Sequence, residues 1–274
     1  MTNIEEIKNF VTEGYRNILQ REPDPIGLEH HIRLIQTGAI SRDTFLSALR
    51  NSEEYKIMFR PFQNVKWTCN DKPISVLIRT HKRPKSLRIC LNSLNRQTKN
   101  NFCVIIISDD KDDNVEGLAG EYPNLYFVFK HIEPLGYPSC NLYFNQVKSI
   151  IDADYVIFID DDDEIIDNTY LETLENIYVK NGRPAVIMSR VSYGEQVIPS
   201  DDGWANLPCA SNIGTLNFCV RSDIYRNCDW TNDNLGDFHF INSVFNSIDW
   251  KKDVYWHNKI MVAARNYPGR GKSE

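Results

Sequence analysis

The stretch Tyr155-Val156-Ile157-Phe158-Ile159-Asp160-Asp161-Asp162-Asp163-Glu164 decides the reading of this chain. The apolar half reads as a buried strand, and the five acidic side chains that follow repel one another, so the pattern asks for a positive partner. Carboxylates one residue apart offer hard oxygen ligands that suit Mg²⁺ or Mn²⁺, with positions left over for water and substrate phosphates. That chemistry points to a nucleotide-diphosphate donor. Ligands gather at strand ends in open α/β sheets, which favours the metal over a solvated acidic turn. A calcium loop of the EF-hand type fails: counted from Asp160, its sixth position is Ile165 and its twelfth Leu171, where Gly and Glu are needed.

Outward from this run, residues 73–193 alternate apolar runs with helical stretches, the signature of a parallel sheet. Strands are predicted at 74–78, 103–107, 125–129, 156–159 and 185–189, with helices at 85–94, 115–122, 140–151 and 169–179. Asn168 is the expected cap of the last helix and Asn181-Gly182 its stop. Past Tyr193 the spacing turns irregular, and loops, short strands and an acceptor-side surface are expected there.

Residues 1–62 read as a separate three-helix module. Ile4, Ile7, Phe10, Val11, Tyr15, Ile18 and Leu19 recur at helical spacing, and Thr2 with Glu5 fits a capping box. Pro23 and Pro25 interrupt the first helix; a second is expected over 27–35, ended by Gly38, and a third from Ser41 toward Phe59. His30-His31 is expected on a solvated helix face. The fold class is therefore α/β over 70–274, a mostly parallel central sheet with flanking helices, preceded by this module.

Composition is that of a globular protein, 42% hydrophobic and 25% charged over 274 residues. The net charge of −6 falls outside residues 1–66, where nine Lys/Arg balance nine Asp/Glu, and it speaks against a nucleic-acid partner. Seven cysteines without a CxxC pair are expected as reduced, mostly buried thiols. The amino terminus is acidic and amphipathic, and no run approaches the ~18 apolar residues of a membrane span, so a cytoplasmic address without a transmembrane segment is expected.

Three segments, PISVLIRTHKRPKSLRICLNSLNRQT (73–98), FCVIIISDDKDD (102–113) and NQVKSIIDADYVIFIDDDDEI (145–165), together resemble the family 2 glycosyltransferases of the GT-A fold. Their order and spacing agree with the family's first strand and turn, second strand and acidic turn, and the helix and strand that deliver its DxD motif. The resemblance covers about residues 73–267. It implies a metal-dependent, inverting transfer of a sugar from a nucleotide-diphosphate donor, with a UDP-sugar the first expectation, to a hydroxyl of a glycan or polysaccharide.

Carried onto this chain, the resemblance places Thr80, His81, Arg83, Asp110, Asp160 and Asp161 at the nucleotide, with His81 where the family usually has Tyr and Asp110 accepting the uracil imide hydrogen. Asp162 is the expected direct metal ligand and Asp160 a neighbour of the ribose or of a metal-bound water; Asp109 is expected to cap its turn. Asn234-Leu235-Gly236-Asp237-Phe238-His239-Phe240 resembles the segment supplying the general base, so Asp237 takes that role, with Asp229 and Asp233 as alternatives. Two departures stand out. Arg79 replaces the usual Pro, and Ala263-Ala264-Arg265-Asn266-Tyr267 lacks the usual late His, leaving Arg265, Arg270 or Lys272 to face the diphosphate, and His239 and His257 as lesser candidates.

Residues 15–55 resemble a small helical domain of unknown function found in bacterial proteins, through Leu-x-Arg-x-Pro-Asp-x-x-Gly and a Ser-x-Glu-Tyr ending. That resemblance implies a docking or packing module. Two other functions fit the same fold: a nucleotidyltransferase making sugar nucleotides, which needs a Gly-rich loop where Thr80-His81-Lys82-Arg83-Pro84 has none, and an idle glycan-binding protein.

Overall fold

Strand β1 (Ile74–Thr80) is buried almost throughout, and β2 (Phe102–Ser108) entirely, because their apolar runs leave no polar face to turn to solvent. In the computed structural model the described residues are 4–19, 23–52, 71–110, 115–135 and 138–265. The chain divides into two compact units, Met1–Gln63 and Asn64–Glu274.

In the larger unit β1, β2, β3 (Tyr126–His131) and β4 (Tyr155–Asp160) pair in parallel, in the order β3-β2-β1-β4. The sheet continues through antiparallel β8 (Phe218–Arg221) to β6 (Val186–Tyr193), β9 (Val254–Ala264) and β5 (Asp163–Ile165), with β7 (Gln196–Ile198) beside β6. The pairings Thr80↔Ser108 and Arg79↔Asp160 bring the carboxyl ends of three strands to one edge. A hydrogen-bonded register thus places distant segments of sequence side by side.

Helix α4 (Pro84–Asn95) follows β1, started by Pro84, whose missing N–H costs nothing at the first helical position. It buries Leu87, Cys90, Leu91 and Leu94 at helical spacing. Its Ser93 and the following Gln97 reach back to the acidic segment: Ser93 Oγ accepts from Ile165 N, and Gln97 bridges Asp167 O and Leu171 N. Helix α5 (Val115–Ala119) is shorter than its expected 115–122.

The expected helix over 140–151 is instead a 3₁₀ turn at Ser139–Leu142, one α-turn, α6 (Tyr143–Gln146), and a second 3₁₀ turn at Lys148–Ile150. Tertiary bonds displace helical ones: the Tyr225 hydroxyl donates to Phe144 O, and the Asn145 side chain both donates to Trp230 O and accepts from Trp230 N. Helix α7 (Tyr170–Lys180) ends at Asn181-Gly182 as expected, with Gly182 at φ 69°. Its start differs: Asp167, not Asn168, accepts from Thr169 N and Oγ1.

The region past Tyr193 is more regular than its sequence suggests. It contains α8 (Ser222–Asn227), α9 (Gly236–Asn246), α10 (Trp250–Asp253) and the 11-residue β9. Phe158, two residues before Asp160, centres an aromatic cluster with Phe144, Tyr225, Trp230 and Phe240 at ring distances of 5.1–5.4 Å. Trp230 and Phe240 stack at 4.5 Å. The cluster therefore locks α9 onto β4.

In the smaller unit α1 (Ile4–Leu19), α2 (Pro25–Gln36) and α3 (Arg42–Asn51) enclose Ile7, Val11, Tyr15, Ile18, Phe45 and Leu49. Asp24 caps α2 by accepting from Gly27 N, which starts that helix at Pro25 rather than Gly27. A Cβ at Gly27 would lie 2.9 Å from both Tyr15 Oη and Asp24 Oδ2, which gives the Pro-Asp-x-x-Gly pattern its cause. Ser41 caps α3 as expected. His31 departs from the solvated face: its Nδ1 bonds Gly27 O at 2.8 Å and its ring packs on Phe45 at 5.0 Å. Thr2, the run toward Phe59 past Ser52, and most of the Ser-x-Glu-Tyr ending lie outside the described residues.

Cys90, Cys140, Cys209, Cys219 and Cys228 are free thiols. Cys103 corrects the expectation of reduced thiols, since it is in a disulfide; an odd count excludes a complete framework and leaves room for one bridge. No helix among the described residues is long and apolar enough to cross a membrane.

Candidate active site

At the end of β1 the chain turns through His81 and Lys82, the latter at φ 51°, a left-handed conformation that costs a non-glycine residue energy and recurs at functional turns. The turn returns Arg83 beneath the acidic run, its Nη1 3.0 Å from Asp161 Oδ1 and 3.3 Å from Asp162 Oδ2. Thr80 Oγ1 donates to Asp161 Oδ2 at 2.8 Å. Asp161 is 3% exposed, and burial, against the pull of Arg83 and Thr80, pushes its carboxyl up to about 7.

Asp160, Asp162 and Asp163 each offer an oxygen within 4.8 Å of the others. Desolvation first, and the neighbouring Asp160 charge second, raise the carboxyls of Asp162 and Asp163, the latter well above the usual range. A divalent cation relieves both costs, and an all-oxygen donor set is the kind Mg²⁺ and Mn²⁺ take, so the residues fit the ion.

Arg79, which the sequence marked only as a substitution for Pro, grips the acidic run directly. Its Nε lies 2.5 Å from Asp160 Oδ1 and its Nη2 3.0 Å from Oδ2, a two-pronged grip, while Nη1 donates to Asn141 Oδ1 at 2.5 Å. Burial lowers the Arg79 pKa, but Asp160 and the nearby Asp237 outweigh it and hold the guanidinium charged. Asn141 Nδ2 in turn donates to Asp233 O, and a Cβ at Gly236 would come within 2.3 Å of that nitrogen. Gly236 is thus fixed by close approach, and Asp237 follows it in the first turn of α9.

Asp109 does not cap its turn; Ser108 Oγ does, accepting from Asp110 N and donating to Asp110 O. Asp109 is buried between His81 Nδ1 at 2.6 Å and the Tyr143 hydroxyl at 2.5 Å, so it orients the imidazole. Asp110 Oδ2 is 3.6 Å from Lys82 Nζ. Asp229 pairs with Lys148 at 2.5 Å and Asp233 closes the turn at Leu235 N. Arg265 pairs with Glu164, which Arg96 also holds; Arg270 and Lys272 lie outside the described residues. His239 stands 3.6 Å from Asp233, and His257 is half-buried near Asp167 and Lys259.

Sequence reasoning therefore missed Asn141, Tyr143 and the roles of Arg79 and Asp109. Only Arg79 carried a signal, a cation where a turn proline was expected.

A mostly parallel sheet with helices around it and carboxylates at its carboxyl edge defines the GT-A class of fold, and solved structures bear this out. The S. aureus protein TarS (residues 1–349) superposes with a TM-score of 0.58 at 15% identity, over 70% of this chain and 60% of that one. Glucosyl-3-phosphoglycerate synthase from Mycobacterium tuberculosis, in complex with Mn²⁺, UDP and phosphoglyceric acid, gives 0.53 at 13% identity over 72% of each chain. The mannosyltransferase PcManGT from Pyrobaculum calidifontis, in complex with GDP-Man and Mn²⁺, gives 0.52 at 13% identity, over 96% of this chain and 69% of that one.

The chain belongs to glycosyl transferase family 2, whose profile matches residues 75–218. Residues 3–59 match a domain of unknown function (DUF4214). No curated protein matches the chain.

Proposed function

We propose that this protein is an inverting glycosyltransferase that moves a sugar from a nucleotide-diphosphate donor, first a UDP-sugar, to a hydroxyl of a glycan. The observation that carries the reading is the cluster of Asp160, Asp162 and Asp163 at the end of β4, with Arg79 and Asn141 tying Asp160 to the turn that precedes Asp237.

Asp162 and Asp163, with Asp160, would hold Mn²⁺ or Mg²⁺, which when bound supplies Lewis-acid stabilisation to the departing diphosphate. Asp160, gripped by Arg79, keeps lone pairs for the ribose or a metal-bound water. Asp161 moves from the nucleotide to a supporting part, since Thr80 and Arg83 occupy its oxygens and it holds both in place. Thr80 and His81 line the nucleotide pocket, Asp109 fixing the imidazole, and Arg83 stays within reach of phosphates. Asp237 takes the acceptor proton. Asp229, paired with Lys148, and Asp233, committed to its turn, support that choice over the alternatives. Its address is proposed as cytoplasmic.

The direct test is turnover across a panel of nucleotide sugars with and without Mn²⁺, in which no sugar release from any donor overturns the proposal. Asp110→Ala weakens UDP and UDP-sugars alike by about 1.5–3 kcal/mol, the range of a hydrogen bond to a charged group, as titration calorimetry reads it. Unchanged UDP affinity moves the base pocket elsewhere. A chain beginning at Lys66 keeps donor binding, since every proposed site residue follows it; a cooperative melt with no UDP binding contradicts this.

A further inference from the structure

One cleft in the larger unit is lined by none of the residues assigned to the donor. A cleft of about 640 Å³ opens among β6, β7 and β9, with Arg190, Val197, Ser200, Asp201, Asn258 and Lys259 in its lining. Arg190 is only 9% exposed, yet its Nε has no hydrogen-bond partner. A buried guanidinium N–H without an acceptor is costly, and Arg is seldom left so unless something else completes it.

The rest of the guanidinium is held for presentation. Nη1 lies 2.7 Å from Asp201 Oδ1, and the group sits 4.8 Å above the Trp204 ring, itself braced by Trp256 at 5.2 Å. The pairing between β6 and β9 shifts register on both sides of Arg190, an irregularity of the kind that re-aims a side chain. Asp201 is 94% exposed, so its hold on Arg190 is that of a solvated surface pair, which an incoming anion readily replaces. The wall is fixed: Asn212 accepts from Ser200 N and donates to Ser200 Oγ, and a Cβ at Gly203 would fall 1.9 Å from Asn212 Nδ2.

Strand β7 lies between the cleft and the proposed base. Ile198 Cδ1 is 3.6 Å from where a Gly214 Cβ would lie, and Asp237 Oδ2 is 3.9 Å from the same point. Val197, the preceding residue of β7, already lines the cleft. An acceptor with its hydroxyl at Asp237 passes around β7, which pairs only with β6, to bring an anionic group to Arg190.

We propose that this cleft is an acceptor subsite for an anionic glycan, whose carboxylate or phosphate accepts from Arg190 Nε and a terminal guanidinium nitrogen. The side-on edge of a planar guanidinium matches two oxygens of either anion. Arg190 and Lys259 outnumber Asp201 here, a local positive balance in a chain of net charge −6. The word acceptor rests on the glycosyl-transfer reading; the anion site itself does not.

The test measures binding to the intact chain, without donor, of an oligoglucuronate, of its carboxyl-reduced uncharged counterpart, and of a phosphodiester-linked oligosaccharide. One or both anionic oligomers bind roughly tenfold or more tighter than the neutral one, as expected of charge-assisted hydrogen bonds; which of them binds tells carboxylate from phosphate. Arg190→Gln removes the preference and Arg190→Lys restores part of it, with UDP affinity unchanged in both. If Arg190→Gln fails to fold, Asp201→Asn serves instead and strengthens anion binding by removing the competing carboxylate. Equal binding of charged and neutral oligomers, a preference surviving Arg190→Gln, or weaker binding in Asp201→Asn overturns the subsite. Arg190-dependent anion binding in a protein that transfers no sugar from any donor retires the catalytic reading and keeps the subsite.

Discussion

Asp162→Ala abolishes Mn²⁺-dependent donor binding and turnover while the fold survives. The side chain sits in a cluster where burial and Asp160 already raise its carboxyl, so removing it takes a repelling charge out of the metal-free site. Its loss leaves Asp163, partly spent on the Asp160 backbone N–H at 3.2 Å, and Asp160, spent on Arg79, to hold the ion. In the unaltered protein a ligand at a hundredfold excess over its Kd stabilises by about 2.7 kcal/mol, or roughly 5–10 °C in Tm for a domain of this size. That Mn²⁺ shift disappears in the variant.

The pH dependence follows from the same carboxyls. They bind metal deprotonated, and their pKa values are raised, so protons compete and the Mn²⁺ shift grows as pH rises and these carboxyls ionise. Without metal the sign reverses for Asp161. Its folded pKa of about 7 exceeds the usual carboxylate value, so the unfolded chain holds fewer protons between the two and stability falls as pH rises through that window. Undiminished Mn²⁺-dependent activity in Asp162→Ala removes the metal assignment.

The legible part of the fold was the part written in short-range pattern. Runs such as 74–78 and 156–159 announce buried parallel strands because both faces are covered and only Ser75 interrupts their apolar residues. Where tertiary contacts outbid local ones, the pattern misled: the Tyr225 hydroxyl takes the Phe144 carbonyl and Trp230 holds the Asn145 side chain, and 140–151 is short turns instead of one helix. Strand β9 was illegible for another reason. It interrupts its apolar residues with His257, Asn258 and Lys259 at the bulge opposite Arg190, so neither alternation nor a continuous run appears.

The site divides in the same way. Asp110, Asp160 and Asp162 stand in segments whose spacing carries them to one edge. Arg79 stood in a familiar segment too, but its meaning depends on a cross-strand partner 81 residues away, Asp160, which no local reading supplies. Asn141 had no signal at all. Its function in the structure is to tie Arg79 Nη1 to the carbonyl of Asp233, 92 residues on, and so to connect the acidic run with the turn that starts α9.

That connection frames the second large effect. Asp237→Asn keeps the size and hydrogen bonding of the side chain but cannot accept a proton, so transfer to acceptor falls by roughly 10²–10⁴-fold, the usual share of general acid–base catalysis. Asp237 lies in the first turn of α9, where the helix dipole favours a carboxylate, and close enough to Arg79 to add to that arginine's charge stabilisation. Donor and metal affinity stay near those of the unaltered protein, because the residues assigned to them reach the site from β1, β2 and β4, and slow release of sugar to water persists. Stopped assays with saturating donor separate the two readouts. Near-normal transfer in Asp237→Asn with a collapse in Asp229→Asn or Asp233→Asn reassigns the base. Loss of donor binding in Asp237→Asn carries a different meaning: the carboxylate, whose charge Arg79 feels beside that of Asp160, then serves the cation in place of the late histidine absent from 263–267.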